Sequence, residues 1–535
     1  MGSTPDDQHE TDGDAPVDDD LFDDAPAERL SWMRLFALVA LVAIVGVVAG
    51  TGLMRKRASS AAQPLQRSWS VPYVDTTLTP TYEFQDPQSN PARDIALAFV
   101  VADPKSACTP SWGGAYSLEG ASQQLELDRR ITQLRAAGGD IMVSFGGQTN
   151  AELATVCTDD DALVSAYRAV VERYDVRVID LDIEGAAVAD GPSIERRANA
   201  IATLQKEQAA AGKSLAVWLT VPVSTTGLTA DGIALVRSTI EGGVDLNGVN
   251  AMTMNFGDAD HPTADMLTAT KQAIEDTVNQ VSGIYSAEGL ELGPAQSWAH
   301  VGATPMIGQN DVKGEVFTLE DAKGLADFAM AKGLGRVSTW SLNRDQPCGA
   351  SFADVTVVSD TCSSVDQKPL DFANVFTVLP GRAPFQPPTG SVTVNERHQT
   401  ADDQAKSPYP IWRPEAQYPE GYKVVRGGLV YQAKWYTQGQ DPSATVANPW
   451  DTPWSLVGPV GPNDVPFTPT KLAPGTYPDW NPKTLYAKGA TVLYDGLPYQ
   501  ARWPNQSAVP SSLFPVPPDS AWDPQFAVPG EPTGP

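Results

Sequence analysis

The sequence predicts an α/β protein whose main body is a (β/α)8 barrel of the TIM-barrel type. Between residues 68 and 378, short apolar runs alternate with segments of helical periodicity, such as the face formed by Leu163, Tyr167 and Val170. Eight strands with intervening helices over about 300 residues match this fold. A doubly wound sheet is the alternative, but no glycine-rich phosphate loop follows the first strand. The predicted strands are 71–74, 95–101, 141–145, 176–184, 215–221, 248–254, 302–306 and 336–340.

An internal repeat follows the predicted barrel. Trp412 matches Trp480 and Trp454 matches Trp522, in each case 68 positions later. We expect two modules, at 409–458 and 477–527, with linkers rich in Pro and Gly at 379–408 and 459–476. Each copy is too small for a large core. Some of its aromatic rings must form that core, and others are free to form a flat face of the kind that stacks on sugars.

The N-terminal region predicts a tail and a membrane anchor. Residues 1–28 contain eleven Asp or Glu and no Lys or Arg, which is typical of disorder, and we expect a disordered acidic tail at 1–30. Residues 35–54 carry no charge, and twenty such residues span a bilayer. The long acidic leader differs from the start of a signal peptide. We therefore predict one transmembrane helix at 33–56 that stays uncleaved and places the lipid bilayer among the partners.

The four cysteines predict two disulfides. Cys108, Cys157, Cys348 and Cys362 fit no zinc-ligand spacing. An even number of cysteines after a membrane anchor indicates an oxidising environment outside the cell. We expect Cys348 to pair with Cys362, which is a short closure, and Cys108 to pair with Cys157. Buried free thiols are the alternative.

Composition excludes several classes of function. Acids outnumber bases 65 to 37, which argues against a nucleic-acid partner. The four histidines form no HExxH or paired-histidine motif, and no GxSxG motif accompanies His261 or His300. The segment 258–261 (DADH) is interpreted as a polar loop rather than a cation site. We therefore expect no metal and no cofactor, and carboxylate chemistry remains.

Three carboxylates, Asp180, Asp182 and Glu184, end the fourth predicted strand, and we call them the acid row. Side chains alternate along a strand, so the three share one face with successive members about 6–7 Å apart. Burying like charges inside a β core is energetically unfavourable, so such residues are expected there only when they have a chemical function. A solvated edge strand or a calcium-binding turn is the alternative. Barrel active sites lie where the strands end, and a carboxyl group near like charges keeps its proton, which suits Glu184 to protonate a glycosidic oxygen.

The body resembles the chitinases of glycoside hydrolase family 18. Four segments carry the resemblance: 144–147 (SFGG), 180–184 (DLDIE), 250–256 (NAMTMNF) and 338–341 (STWS). The second is similar to the family's DxDxE signature, and Trp340 is similar to the tryptophan that floors its sugar site. The resemblance implies substrate contacts from Ser144, Gly146, Met252, Met254, Asn255, Phe256 and Trp340.

The resemblance also implies a mechanism that is retaining and assisted by the substrate. Glu184 would protonate the leaving oxygen while the substrate's acetamido carbonyl attacks the anomeric carbon. Asp182 would orient the acetamido nitrogen, and Asp180 would lie deeper and share charge or a proton with Asp182. Chitin or another N-acetylglucosamine polysaccharide is then the substrate, and the enzyme works outside the cell on a single-pass membrane anchor. The positive-inside rule points weakly the other way, because residues 55–57 (RKR) follow the span.

One segment departs from the family pattern. Asn255 and Phe256 stand where an Asp and a Tyr are common, so a hydroxyl donor to the acetamido group is not evident. Arg177 and Val178 replace the usual Asp-Gly before the acid row. We expect reduced or altered activity. Two alternatives stay open: a chitin- or wall-binding protein with little hydrolysis, and an enzyme for another N-acetylglucosamine glycan.

The two repeats resemble type 3 chitin-binding domains, which are small all-β carbohydrate-binding modules of families 5 and 12. The Tyr-x-Ala-x-Trp pattern in both copies carries this likeness. Trp435, Tyr436 and Trp454 are the surface candidates in the first copy, and Trp503 and Trp522 in the second. Pro504 replaces the aromatic residue after Trp503, so we expect weaker binding there. The full candidate set is Tyr431, Trp435, Tyr436, Trp454, Tyr499, Trp503 and Trp522.

Overall fold

The computed structural model describes residues 69–257, 262–350, 352, 357–380, 402–444, 446, 452–461 and 464–532. The predicted acidic tail at 1–30, the membrane helix at 33–56, the segment 258–261 and most of the linker 379–408 lie outside these residues. In the part of the chain that is described, no helix combines the length and the apolar character that crossing a membrane requires. The described residues from 69 to 532 form one compact unit.

The first part of this unit alternates strands and helices. Its strands are β1 (Trp69–Ser70), β2 (Tyr73–Asp75), β3 (Ile95–Asp103), β4 (Ser106–Trp112), β5 (Tyr116–Ser117), β6 (Ile141–Gly146), β7 (Val178–Asp182), β8 (Ala216–Ser224), β9 (Gly227–Leu228), β10 (Leu246–Met252), β11 (Val301–Ala303), β12 (Gly308–Gln309), β13 (Val316–Phe317) and β14 (Arg336–Val337). Its helices are α1 (Leu118–Gln124), α2 (Leu127–Ala136), α3 (Leu153–Val156), α4 (Asp160–Arg173), α5 (Gly191–Ala210), α6 (Ala230–Glu241), α7 (Met266–Ala287), α8 (Pro294–Ala299), α9 (Leu319–Lys332) and α10 (Asp371–Phe376).

The strands close into a parallel barrel, which confirms the predicted (β/α)8 fold. Parallel pairing runs from β1 through β14, β11, β10, β8, β7 and β6 to β3. The segment that holds β1 and β2 closes the ring, because β1 pairs with β14 and β2 pairs with β3. Each of the eight predicted strands overlaps one barrel position. The doubly wound alternative is wrong, since its sheet would stay open.

Helices cover the barrel through the faces that the sequence predicts. The α4 face of Leu163, Tyr167 and Val170 is buried. Asp159 caps this helix by accepting a hydrogen bond from the Ala162 N–H at 2.9 Å, which stabilises a helix by about 1 kcal/mol. Burying each large apolar side chain contributes about 1.5–3 kcal/mol.

Large rings fill the barrel interior. Trp69, Tyr73 and Trp218 are buried there with small apolar neighbours. Gly248 on β10 is required by this packing, because a Cβ atom at Gly248 would lie 2.5 Å from the Trp218 ring. The interior is therefore a packed core below the ends of the strands.

Both predicted disulfides are confirmed. Cys108 on β4 bonds to Cys157, which caps α3, and Cys348 bonds to Cys362. The Cα atoms lie 4.7 Å and 5.0 Å apart, respectively. Each disulfide closes a loop of the chain and so lowers the conformational entropy of the unfolded state. This stabilises the fold by about 3 kcal/mol or more.

The C-terminal part forms two small antiparallel modules. Module 1 contains β15 (Gln417–Tyr418), β16 (Lys423–Arg426), β17 (Leu429–Ala433), β18 (Thr437–Gln438) and β19 (Trp454–Pro459). Module 2 contains β20 (Leu485–Tyr486), β21 (Thr491–Tyr494), β22 (Leu497–Ala501), β23 (Asn505–Gln506) and β24 (Trp522–Pro524). Corresponding strands begin 68 positions apart, so the sequence repeat is a structural repeat. Each module pairs its strands in one two-stranded and one three-stranded sheet.

Module 1 packs on the barrel through buried charges. Glu126, at the start of α2, is buried and accepts hydrogen bonds from Lys423 and from the Tyr409 hydroxyl. Arg129 pairs with Glu126 at 3.2 Å and forms two hydrogen bonds with Asp464, at 2.8 and 2.9 Å. We call Glu126, Arg129, Lys423 and Asp464 the interface cluster. Every charge in it has an opposite charge as a partner, so module 1 is held in a fixed position against the barrel.

Candidate active site

The acid row lies where β7 ends. Asp180 and Asp182 are buried on this strand, and Glu184 follows it half-buried at the start of a short 3-10 helix. Gly146 on β6 sits opposite Asp182, at a positive φ of 103°. A Cβ atom at Gly146 would lie 2.1 Å from the Asp182 carbonyl oxygen, so only glycine lets these strands approach at this point.

Asp180 is fully occupied by hydrogen-bond donors. One carboxylate oxygen accepts from the Tyr73 hydroxyl at 2.7 Å and from the Ser144 hydroxyl at 2.8 Å. The other accepts from the Thr220 hydroxyl at 2.6 Å and from Arg336 at 2.8 Å. Asp180 does lie deep, as expected. Its charge is also paired with the buried Arg336 guanidinium. The expected sharing of charge or a proton with Asp182 stays a prediction.

Asp182 contrasts with Asp180 two positions earlier. Its Oδ1 atom is buried and has no hydrogen-bond partner within the residues that the structure describes. Burial raises the pKa of Asp182, and the negative charges of Glu184 and Asp180 raise it further, against the opposing effect of Arg336. This carboxyl group therefore keeps a free polar atom, whose desolvation is costly until a ligand contacts it.

Glu184 has the protonation behaviour of a general acid. Burial, with a contribution from the negative charge of Asp311, raises the pKa of Glu184 to about 7. A carboxyl group with this pKa is protonated in a large fraction of molecules at neutral pH, whereas an ordinary glutamate is almost fully ionised. It therefore has a proton to give.

Asp182 and Glu184 of the acid row line a cavity of about 240 Å³. Trp340 lies beside Phe99, with ring centroids 5.4 Å apart and planes 19° apart, so the two rings form a stacked apolar wall. Acidic groups lie in the same lining. The lining residues are Tyr73, Asp75, Phe99, Gln148, Thr149, Asp182, Glu184, Thr220, Met252, Met254, Asn255, Thr304, Met306, Asp311, Trp340 and Asp360.

Several predicted contact residues lie at this cavity and others do not. Met252, Met254 and Trp340 line it, as the resemblance implies. Ser144 lies behind it, bonded to Asp180. Phe256 is a correction, because its half-buried ring packs against the hydrophobic core and not in the cavity lining. The chain turns at the preceding residue, and the N–H group of Phe256 donates to Glu315.

That preceding residue, Asn255, has a positive φ of 53° and holds a loop. Its side-chain amide donates to the Asp311 carboxylate at 2.8 Å and its oxygen accepts from the Asp311 N–H at 2.9 Å. Glu315, which is buried, accepts from the N–H groups of Phe256, Gly257 and Thr263. These bonds clamp the loop around β12 and β13 to the segment that follows β10. They set Asp311 at the rim of the cavity.

Sequence reasoning missed Tyr73, Thr220, Arg336 and Asp311. Arg336 had a usable signal, since an arginine that begins an apolar barrel strand must find a partner when it is buried. Tyr73 and Thr220 also lie on predicted strands, with polar groups that face the interior. Asp311 carried no such signal, because it comes from a loop whose position depends on the clamp.

The aromatic candidates of the modules divide into core and surface. Trp435, Tyr436 and Trp503 are 43%, 57% and 41% exposed. Trp454 and Trp522 are buried, which corrects their assignment as surface residues. Each donates its indole N–H to a backbone carbonyl, of Gln440 and Ala508 respectively, and belongs to its module's core. Tyr431 and Tyr499 are buried in the same cores and are corrected likewise.

Comparisons with known proteins agree with the barrel fold. No protein-family model matches the chain. A probable bifunctional chitinase/lysozyme of Escherichia coli is 38% identical over 290 residues, which cover 53% of this chain and 31% of that protein. Endochitinase 11 of Metarhizium anisopliae is 37% identical over 285 residues, which cover 52% of each chain. The chain thus spans about a third to a half of the length of these curated relatives.

A solved structure covers the barrel more completely. The catalytic domain of a hyperthermophilic chitinase from Pyrococcus furiosus matches with a TM-score of 0.51 and 26% identity, covering 59% of this chain and 96% of that one. Together these likenesses support the family 18 chitinase fold for the barrel and its assignment as a glycoside hydrolase domain.

Proposed function

We propose that this protein is a chitinase that hydrolyses β-1,4-linked N-acetylglucosamine polymers by a retaining mechanism assisted by the substrate. One observation carries the proposal. The unpartnered buried Oδ1 of Asp182 lies in the same cavity as Glu184, whose pKa is raised to about 7. A polar ligand atom that reaches Asp182 would satisfy it, and the neighbouring acid would protonate an oxygen of the same ligand.

In the first step, the Glu184 proton moves to the glycosidic oxygen and the bond from that oxygen to the anomeric carbon breaks. The carbonyl oxygen of the substrate's own acetamido group forms a new bond to the anomeric carbon, which gives an oxazolinium ion. Asp182 accepts a hydrogen bond from the acetamido N–H and stabilises the positive charge as it develops. No second nucleophilic carboxylate is needed, unlike in ordinary retaining glycosidases.

In the second step, the Glu184 carboxylate takes a proton from water, and the water oxygen attacks the anomeric carbon. The bond to the acetamido oxygen breaks, so two inversions leave the original configuration. Asp180 and Arg336 do not exchange protons with the substrate in this scheme. Their buried ion pair fixes the strand ends and limits the negative potential that Asp182 experiences.

The modules would hold the enzyme on its polymer. Trp435, Tyr436 and Trp503 are exposed rings on two modules of one chain. Flat rings stack on the apolar faces of pyranose sugars, and two linked sites raise the effective concentration of the enzyme at a polymer surface. We place the catalytic part outside the cell on the anchor at 33–56, in keeping with the two disulfides.

A binding protein with little hydrolysis is the second candidate. The observation in its favour is that the Asn255 side chain is already bonded to Asp311 and so has fewer groups free for a substrate. The intact acid row favours catalysis.

The hexamer of β-1,4-linked N-acetylglucosamine distinguishes the two candidates. The protein and its Glu184→Gln variant are each incubated with the hexamer, and the products are separated by chromatography. Shorter oligomers from the parent alone support the chitinase and place the acid at Glu184. If neither protein releases shorter oligomers and both bind to chitin beads, the binding protein is the correct reading.

A further inference from the structure

Module 2 carries a groove apart from its exposed Trp503. The groove measures about 530 Å³, and its lining includes Trp480, Tyr494, Leu472 and Gly496 but not Trp503. The rings of Trp480 and Tyr494 meet edge to face, with centroids 5.6 Å apart. The groove is shallow and open to solvent, so a ligand would lie along it.

The groove is rigid. The Trp480 N–H donates to the Leu493 carbonyl at 2.7 Å, and the Trp480 indole N–H donates to the Ala508 carbonyl at 2.9 Å. The Leu472 N–H donates to the Gly496 carbonyl at 2.9 Å, which ties the preceding segment to the turn between β21 and β22. The aromatic wall therefore has its position before any ligand arrives, and a ligand has little ordering of the protein to offset.

Charged groups border the rings. Lys471 and Asp495 pair at 2.8 Å on the exposed edge of the groove, and Asp479 lies in the same lining. Aromatic rings with donors and acceptors around them suit a pyranose, which has apolar C–H faces and equatorial polar groups. A purely apolar ligand would leave this border unused.

Module 1 has the same fold, but a guanidinium covers the corresponding aromatic ring. Arg426 stands 68 positions before Tyr494, and its guanidinium lies 5.1 Å from the centre of the Trp412 ring, the counterpart of Trp480. Arg426 is held there by Asp441 at 2.7 Å. In module 2 the counterpart of Asp441 is Val509, so both halves of this cover are replaced together.

We propose that the groove of Trp480 and Tyr494 is a second carbohydrate-binding site, present in module 2 and closed in module 1. It takes a β-linked N-acetylglucosamine chain, with the apolar face of a sugar on one of the two aromatic rings and polar groups on Lys471 and Asp495. This inference rests on the proposed function, in which the modules bind such a glycan. It makes module 2 a two-site module although it lacks an aromatic residue at position 504.

The number of binding sites tests the proposal. Full-length protein in mild detergent, with Glu184→Gln to prevent hydrolysis, is titrated with the hexamer of N-acetylglucosamine by calorimetry. Tyr494→Arg with Val509→Asp copies the cover of module 1 and should remove about one site. Arg426→Tyr with Asp441→Val uncovers module 1 and should add about one. Tyr494→Phe keeps the ring and should leave the number unchanged.

A second measurement needs no substitution in either module. The reactive amine of Lys471 is labelled in the Glu184→Gln protein with and without the hexamer, and Lys483, an exposed lysine of the same module outside the groove lining, is the control. We expect labelling of Lys471 alone to slow about tenfold at saturation. Equal labelling with and without the hexamer, or an unchanged site number in the Tyr494→Arg, Val509→Asp variant, overturns the second site.

Failure of the second site stays separate from failure of the proposed function. Trp435→Ala with Trp503→Ala tests the exposed rings and leaves the groove intact. Release of oligomers from the hexamer tests the barrel. A negative result in either test contradicts the proposed function even if the hexamer still protects Lys471 from labelling. Conversely, an unprotected Lys471 overturns the second site and leaves the proposed function in place.

Discussion

Two regions of this molecule bury several charges each, and they are built in opposite ways. In the interface cluster between barrel and module 1, each carboxylate has a cation beside it. In the acid row, Asp180 has four donors including Arg336, whereas Asp182, two positions further along the same strand, has a buried oxygen atom without a partner.

The difference distinguishes charged groups that stabilise the fold from charged groups that take part in chemistry. Burying a charge is unfavourable unless partners replace the lost water. A fold that satisfies every buried group in one place and leaves one unsatisfied in a cavity has kept that group for a ligand. On this view, the interface cluster and Asp180 stabilise the protein, and Asp182 and Glu184 make it less stable in exchange for reactivity.

The largest effect should come from breaking the buried pair of Arg336 and Asp180. Arg336→Met leaves the Asp180 carboxylate without its cation at 0% exposure of both side chains. We expect the free energy of unfolding to fall by about 3–5 kcal/mol. Denaturant unfolding followed by circular dichroism measures it. Arg168→Met, which removes the solvent-exposed pair with Glu207, is the control and should cost about 0–1 kcal/mol. Equal effects would contradict the structural role of Arg336.

Asp182→Asn should affect catalysis without loss of stability. The variant removes the negative charge that stabilises the oxazolinium ion, so we expect kcat to fall by about 10²–10³-fold. It also relieves a buried charge with an unpartnered oxygen, so the free energy of unfolding should stay the same or rise. Asp180→Asn is the matched comparison and should lower that free energy. A destabilised Asp182→Asn protein would remove the distinction between the two residues.

Glu126→Gln should loosen module 1. Burial raises the pKa of Glu126, but Lys423 and Arg129 lower it by more, so the net pKa is below its ordinary value. The stabilisation is therefore complete above the unfolded pKa of about 4.3 and is lost as the pH falls through the lower folded pKa. At neutral pH the variant leaves buried cations short of a partner, which costs about 1–3 kcal/mol.

The expected result for Glu126→Gln is faster proteolysis of the connection between barrel and module 1, with hydrolysis of the soluble hexamer unchanged. Glu119→Gln, which removes an exposed partner of Arg173, serves as the control. If proteolysis were equally fast in the parent and in both variants, the interface cluster would not hold the module.

The smallest effect concerns the pH profile. A general acid acts in its protonated form, so kcat/KM, which reports the pKa of the free enzyme, should fall as the pH rises through the Glu184 pKa of about 7. Asp311→Asn removes a negative charge that raises this pKa, so the alkaline limb should move to lower pH by less than about one unit. Asp360→Asn also changes an acid of the cavity lining and should leave the limb in place. An identical profile for parent and Asp311→Asn would show that Asp311 does not act on Glu184.

The local pattern of residues in the sequence determined a large part of this protein's fold. The alternation of apolar runs located the eight barrel strands, because strand and helix periods are properties of neighbouring residues. The period-2 rule placed the acid row on one face, and the offset of 68 residues located both modules. The pairs Cys108–Cys157 and Cys348–Cys362 also followed from the sequence.

Tertiary structure decided which groups meet. Arg336 pairs with Asp180 across 156 positions, and Asp311 reaches the cavity only through the clamp that Asn255 makes. Trp454 and Trp503 look alike in the sequence, yet one is the core of its module and the other is exposed. The reason is physical. Periodicity predicts the face of a strand or helix on which a side chain lies, whereas the residues it contacts depend on how distant segments pack. The charge, burial and chemistry of the site are therefore properties of the folded chain.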